Sequence, residues 1–130
     1  MWTHFWDMHS GGGQKLDWAH IYIEAPQDQA EIIFYNRFDR NPHRVTCTCC
    51  GSDYSLSESQ TLREATAFHR GCAYDDKKKE YVEQANTKYR QKYIPLTTFL
   101  KSKDIKVIYA KDINPSEKRG TLPEEGYVWR

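Results

Sequence analysis

Two short segments carry the most specific chemistry in the chain. Cys47-Thr48-Cys49-Cys50-Gly51 and His69-Arg70-Gly71-Cys72 together spell C-x-x-C-G … H-x-x-C. Zinc takes four thiolate or imidazole ligands in a tetrahedron, and two closely spaced pairs parted by a loop let one ion tie distant segments together. Cys47, Cys50, His69 and Cys72 are therefore the expected ligands of one structural Zn2+ per chain. Cys49 is left over, because C-x-x-C is the spacing that closes comfortably around one ion; Cys49 in place of either neighbour is the alternative register, and His43 is the reserve for His69. Gly51 suits the tight backbone turn that such a site needs. The competing readings are ordinary thiols with His69 on a helix surface, or a disulfide such as Cys49–Cys72. All four cysteines lie between positions 47 and 72, a clustering that favours a metal over a disulfide framework.

A second constellation, Asp7-Met8-His9-Ser10-Gly11-Gly12-Gly13 with Lys15, places an acid, an imidazole and a hydroxyl beside a glycine loop. Such groups could do acid/base work, and loop amides could bind an oxyanion. On a strand, Asp7 and His9 share a face and Ser10 does not. The phosphate-loop pattern and the Gly-x-Ser-x-Gly elbow are both absent. A zinc deaminase needs His-x-Glu before Pro-Cys-x-x-Cys, and the order here is reversed. A plain glycine turn between strands is the competing reading.

The third feature is charge. The totals are near balance, with 19 basic and 18 acidic residues, but residues 1–70 carry six Lys/Arg against nine Asp/Glu, and residues 71–130 carry thirteen against nine. An anionic partner would meet the C-terminal half more readily. Lys77, Lys78, Lys79, Lys88, Arg90 and Lys92 are the candidate contact residues there, with Tyr81 and Tyr89 available to stack on bases. Glu80 and Glu83 dilute this surface, and a packing stripe of Tyr81, Ala85 and Tyr89 beside solvated lysines is the plainer reading.

These residues need a frame. The chain of 130 residues suits one zinc-stapled domain spanning 1–130. Nothing in it is apolar over a length that spans a bilayer, and Met1–Asp7 has neither the basic nor the apolar segment of a secretory leader. A reducing, cytosolic setting follows as the expectation. Trp2–Met8 reads as a first strand and His20–Glu24 as a second. Pro26 marks the start of a helix over Gln27–Phe38, with Ala30, Ile33, Phe34 and Phe38 along one face. Arg44–Thr46 should form a short strand with Tyr54–Leu56 as its hairpin partner. Thr61 should cap a helix running to Arg70, ended by Gly71, so that His69 and Cys72 project from its end. A helix from Lys77 to Lys92, a helical piece at 96–102, a strand at 106–110 and a turn-rich tail ending in docked aromatics complete the expectation.

Asp7–Gly13, Ile21-Tyr22-Ile23-Glu24-Ala25, Cys47–Gly51 and Gly126-Tyr127-Val128-Trp129 resemble a family of small tailed-bacteriophage proteins over most of the length. The family brings no activity to transfer. The resemblance implies a phage-encoded protein acting in the cytoplasm of the infected host. Small phage proteins of this kind often bind a host defence, transcription or replication component, and inhibitors of CRISPR effectors are one such class. The expected protein is thus an α+β domain in which a small antiparallel sheet packs on helices and a zinc knuckle closes the middle. Its expected role is recognition of a host protein or nucleoprotein. Direct DNA or RNA binding through 77–92 is the first alternative, and a small enzyme using the Asp7/His9 loop is the second.

Overall fold

The computed structural model describes residues 1–9, 12–46, 51–83 and 93–123. The fold is α+β: a four-stranded sheet with helices on it, and a separate two-stranded hairpin. In chain order the elements are β1 (Trp2–Asp7), β2 (His20–Ile23), α1 (Gln27–Phe38), β3 (Tyr54–Ser59), α2 (Leu62–Thr66), β4 (Cys72–Asp75), β5 (Glu80–Glu83), α3 (Leu96–Phe99) and β6 (Ile105–Ile108). The main sheet has the order β3-β1-β2-β6. β1 lies antiparallel to both of its neighbours, whereas β6 runs parallel to β2, so the sheet is mixed rather than purely antiparallel.

Side chains alternate between the two faces of a strand, so β1 serves two cores. On one face Phe5 stacks on Phe34 of α1 at 4.5 Å between ring centroids, and Phe34 meets Tyr54 edge-on at 5.0 Å. Ile21, Ile23, Ile33 and Ile108 close this core. The opposite face holds Trp2, Tyr22 and Ile105, covered by Ala65 of α2 and Phe99 of α3.

Helix α1 begins as its sequence indicates, but its cap comes from elsewhere. Pro26 offers no side-chain acceptor, and the N–H of Gln27 donates instead to Glu58 Oε2 on β3 at 2.7 Å, an anion at the positive end of the helix. At the other end Asp39 adopts φ 53, and Arg37 clasps Glu117 with two 2.8 Å hydrogen bonds. That fork ties the helix to the turn at Pro115–Lys118.

Two expectations about pairing and helicity need correction. Tyr54–Leu56 does not return on Arg44–Thr46; β3 pairs with β1 along six residues, from Trp2 opposite Ser59 to Asp7 opposite Tyr54. A six-residue ladder on a buried strand satisfies more backbone groups than a three-residue hairpin does. Near position 45 the chain keeps a single bridge, and buried Asp53 accepts both the N–H and the hydroxyl of Thr46, at 3.0 and 2.8 Å.

The helix expected from Lys77 is also not formed over residues 77–83. Asp75 Oδ1 accepts the N–H of Lys77 at 2.9 Å and of Lys78 at 3.2 Å, and Lys79 turns at φ 55 before β5 returns on β4. An Asp that binds amides two and three residues ahead favours a turn over helix continuation. Lys88, Arg90 and Lys92, with Ala85 and Tyr89, lie outside the described residues, as do Tyr127 and Trp129. No helix among the described residues is long and apolar enough to cross a membrane.

Phe34 packs against Phe5, Phe38 and Tyr54 and is fully buried. Phe34→Ala should therefore cost about 3–5 kcal/mol, read as a lower urea midpoint at unchanged slope; a loss below about 1 kcal/mol would contradict this placement of the core.

Candidate metal centre

The sheet face that carries Trp2 and Tyr22 also carries histidines. In the β1–β2 register His4 lies opposite Tyr22 and Trp6 opposite His20. His4 and His20 are therefore diagonal neighbours on one face, within reach of each other. Tyr22 stacks on His4 at 4.4 Å with ring planes 11° apart, which sets the orientation of the His4 ring.

The third histidine arrives from above. Thr61 caps α2 by accepting the N–H of Glu64 at 3.1 Å, and after Ala67 the chain tightens into a 3₁₀ turn at Phe68–Arg70. Gly71 ends that turn at φ 85, a conformation that a Cβ resists. Arg70 is the anchor. Its buried guanidinium donates to Thr66 Oγ1 at 2.8 Å and, at longer range, to the carbonyls of Arg63 and Ile94 and the hydroxyl of Tyr93. Four neutral acceptors thus hold a buried cation and fix the residue beside it, His69, over the sheet.

There the three imidazoles converge. His4 Nε2 and His20 Nδ1 lie 2.9 Å apart, one ring donating to the other, and one nitrogen from each of His4, His20 and His69 falls within 4.8 Å of the others. The His20 and His69 centroids are 4.3 Å apart, and Trp6 meets His69 edge-on at 4.7 Å. Tetrahedral zinc with Zn–N bonds of about 2.0–2.1 Å holds its nitrogens about 3.3 Å apart. The His4–His20 pair has to open by a few tenths of an ångström, its shared proton moving to an outward ring nitrogen, and the group as a whole, spread over up to 4.8 Å, has to draw together around an ion.

Burial keeps the cluster neutral, which is the form that binds metal. Burial, then the neighbouring His20 and His69, push His4 down to about 3. His20 is pushed down to about 4 by burial and His69, with the Asp104 carboxylate acting in the opposite sense. Burial also lowers His69. A carboxylate beside a ligating histidine is the usual outer partner that raises ligand basicity.

His4 and His69 form part of the wall of a cleft of about 300 Å³ whose other sides include Ser55, Ser57, Glu58 and Glu64. Among the described residues that line it there is no lysine or arginine.

The expected ligands and contact residues are placed as follows. His69 belongs to the described cluster, with His4 and His20 as its companions; Cys72 opens β4 and is not part of that group. Cys47, Cys49 and Cys50 lie outside the described residues. His43 Nε2 is 2.7 Å from Glu31 Oε1, so the reserve ligand already has a partner. Asp7 is buried, and its two oxygens accept the N–H of His9 at 2.8 Å and of Lys15 at 2.6 Å. These bonds organise the glycine loop. Ser10 and Gly11 lie outside the described residues. Lys77, Lys78 and Lys79 sit in the β4–β5 turn, with Asp75, Asp76 and Glu80 around them.

His4 and His20 were not singled out as ligands from the sequence. Their signal is alternation: Trp2-x-His4-x-Trp6 and His20-x-Tyr22 each place a histidine among aromatics on one strand face. Their convergence needs the cross-strand register, which neither segment shows alone. No protein-family model, curated protein or solved structure matches the chain.

Depressed histidines make stability depend on pH in a stated direction. The unfolded chain takes up protons near pH 6.5, whereas folded His20 and His4 resist protonation to about 4 and about 3. Between those values the unfolded state binds more protons, so stability is full above about pH 6.5 and is lost as pH falls through this window. The chelator-treated protein should show a falling urea midpoint from pH 7 to 4, with a shallower fall in His20→Gln; parallel curves for the two proteins would contradict the neutral cluster.

Proposed function

We propose that this chain is a metal-binding protein whose centre is His4, His20 and His69, holding one zinc-class divalent ion. The observation that carries the reading is the convergence of three neutral imidazoles from three separate elements. Neutral imidazole suits zinc, copper, iron and nickel, whereas magnesium and calcium prefer oxygen. The ion would join β1, β2 and the 3₁₀ turn, which no disulfide does among the described residues. The zinc expected from the C-x-x-C-G … H-x-x-C pattern is thereby kept, and the ligand set is shifted to histidines around the shared His69.

A host-directed role in the cytoplasm of the infected cell is the wider reading suggested by the bacteriophage resemblance. The β4–β5 hairpin supports a contact with a host protein or nucleoprotein, since Tyr74 and Tyr81 form an exposed edge-on pair at 5.3 Å. Direct nucleic-acid binding has less support there. The groove of about 730 Å³ beside the hairpin has Arg63 and Lys79 in its walls, but also Glu64, Glu80 and Glu83.

Metal binding is tested by calorimetry with Zn2+ and elemental analysis of the full chain. Wild type should bind about one ion, and zinc at about 100 times its Kd should stabilise the fold by about 2.7 kcal/mol. His20→Ala and His4→Ala should weaken binding by more than about 100-fold, beyond what an outer-shell change alone costs. Loss of the metal in Cys72→Ser with full retention in both histidine variants would place the ion in the cysteine-rich site instead.

A further inference from the structure

An ion held by three histidines has a fourth position, and a cleft adjoins this one. Structural zinc is enclosed by four protein ligands, whereas catalytic zinc has three and leaves one place for water or substrate. Here two of the three ligands, His4 and His69, line an open cleft of about 300 Å³. Two carboxylates share that cleft, and they are not equivalent. Glu58 spends Oε2 on the N–H of Gln27 and is occupied in capping α1. The Glu64 side chain has no hydrogen-bond or ion-pair partner among the described residues; its main-chain N–H donates to Thr61 Oγ1 and its carbonyl accepts the N–H of Ala67. It lines the cleft as an exposed carboxylate that no described side chain holds.

We infer that the His4–His20–His69 ion and Glu64 form a hydrolytic centre for neutral acyl esters or amides. This inference rests on the metal reading above. An ion held by His4, His20 and His69 would supply Lewis acidity to the carbonyl and to the attacking water. Glu64 accepts the proton of that water as its oxygen bonds to the carbonyl carbon. The bond from carbon to the leaving group then breaks, and the proton passes from Glu64 to the departing alcohol or amine. The products are a carboxylic acid and that alcohol or amine, with water as co-reactant and no change of oxidation state. The cleft itself selects the substrate class. Glu58 and Glu64 offset the charge of the ion, and among the described residues of the lining this acidity meets no lysine or arginine, which disfavours a phosphate ester. Trp6, Phe68 and Tyr81 give it aromatic walls suited to an apolar acyl or leaving group.

The test uses the full chain loaded with Co2+ or Zn2+ and two readouts. In the first, acetohydroxamate is added to the cobalt protein; the visible spectrum should shift as this ligand enters the fourth position. In the second, hydrolysis of p-nitrophenyl acetate by the zinc protein should fall by about 10²–10⁴-fold in Glu64→Gln, with metal stoichiometry unchanged. p-Nitrophenyl phosphate should be turned over far more slowly than the acetate. A protein that binds the metal but whose cobalt spectrum ignores acetohydroxamate, or whose Glu64→Gln variant retains full turnover, would overturn the hydrolytic centre and leave the metal site standing. Faster turnover of the phosphate would overturn the substrate class. Failure of the wild type to bind either metal would overturn both readings.

Discussion

The register of β1 against β2 is the constraint on which the rest depends. β1 is a central strand, and its alternation sends Thr3, Phe5 and Asp7 to one face and Trp2, His4 and Trp6 to the other. Slipping the pairing by one residue would exchange the faces of one strand relative to the other, removing Phe5 from Phe34 or separating His4 from His20. The same ladder therefore sets the main hydrophobic core and the geometry of the candidate centre. α1 depends on it as well, since Glu58, which caps that helix, is positioned by the pairing of β3 with β1.

The centre carries a cost that the fold has to offset. Buried polar groups need partners, and protonating any one imidazole makes protonation of the next less favourable. One contact between His4 and His20 satisfies part of this demand, and stacking of Tyr22 on His4 supplies dispersion in place of solvent. A divalent ion would satisfy all three rings together, so its binding free energy would add directly to the stability of the folded chain. Arg70 supports the arrangement from outside the cluster: its network joins α2 to the segment before α3 and holds the neighbouring His69 in place. The Tyr22 hydroxyl, buried without a partner among the described residues, belongs to the same aromatic layer and has its ionisation pushed up by burial.

Much of the local structure was legible in the residues. Aromatic alternation marked β1, Pro26 and the apolar face of Ala30, Ile33 and Phe34 marked α1, and Thr61 and Gly71 bracketed the segment that carries His69. Nonlocal relations were not legible. The pairing of β3 with β1 and the parallel course of β6 bring together residues far apart in sequence, and no local pattern encodes them. The hairpin at 72–83 was hidden because its acidic start and basic run resemble the charge pattern of a helix; the Asp75 turn and the Tyr74–Tyr81 pair decided otherwise. Cysteine spacing drew attention to zinc through a motif that names its own ligands, whereas a three-histidine site assembled across strands has no such motif. His69 alone belongs to both readings.

X-ray absorption at the zinc edge measures most directly whether the proposed ion sits among histidine nitrogens. Nitrogen and oxygen neighbours scatter at about 2.0–2.1 Å and sulfur at about 2.3 Å, so the two ligand sets are separable. The zinc-loaded chain is expected to show three imidazoles and one further light atom, with no sulfur shell. Two or more sulfur neighbours would contradict the account and return the metal to Cys47, Cys50 and Cys72.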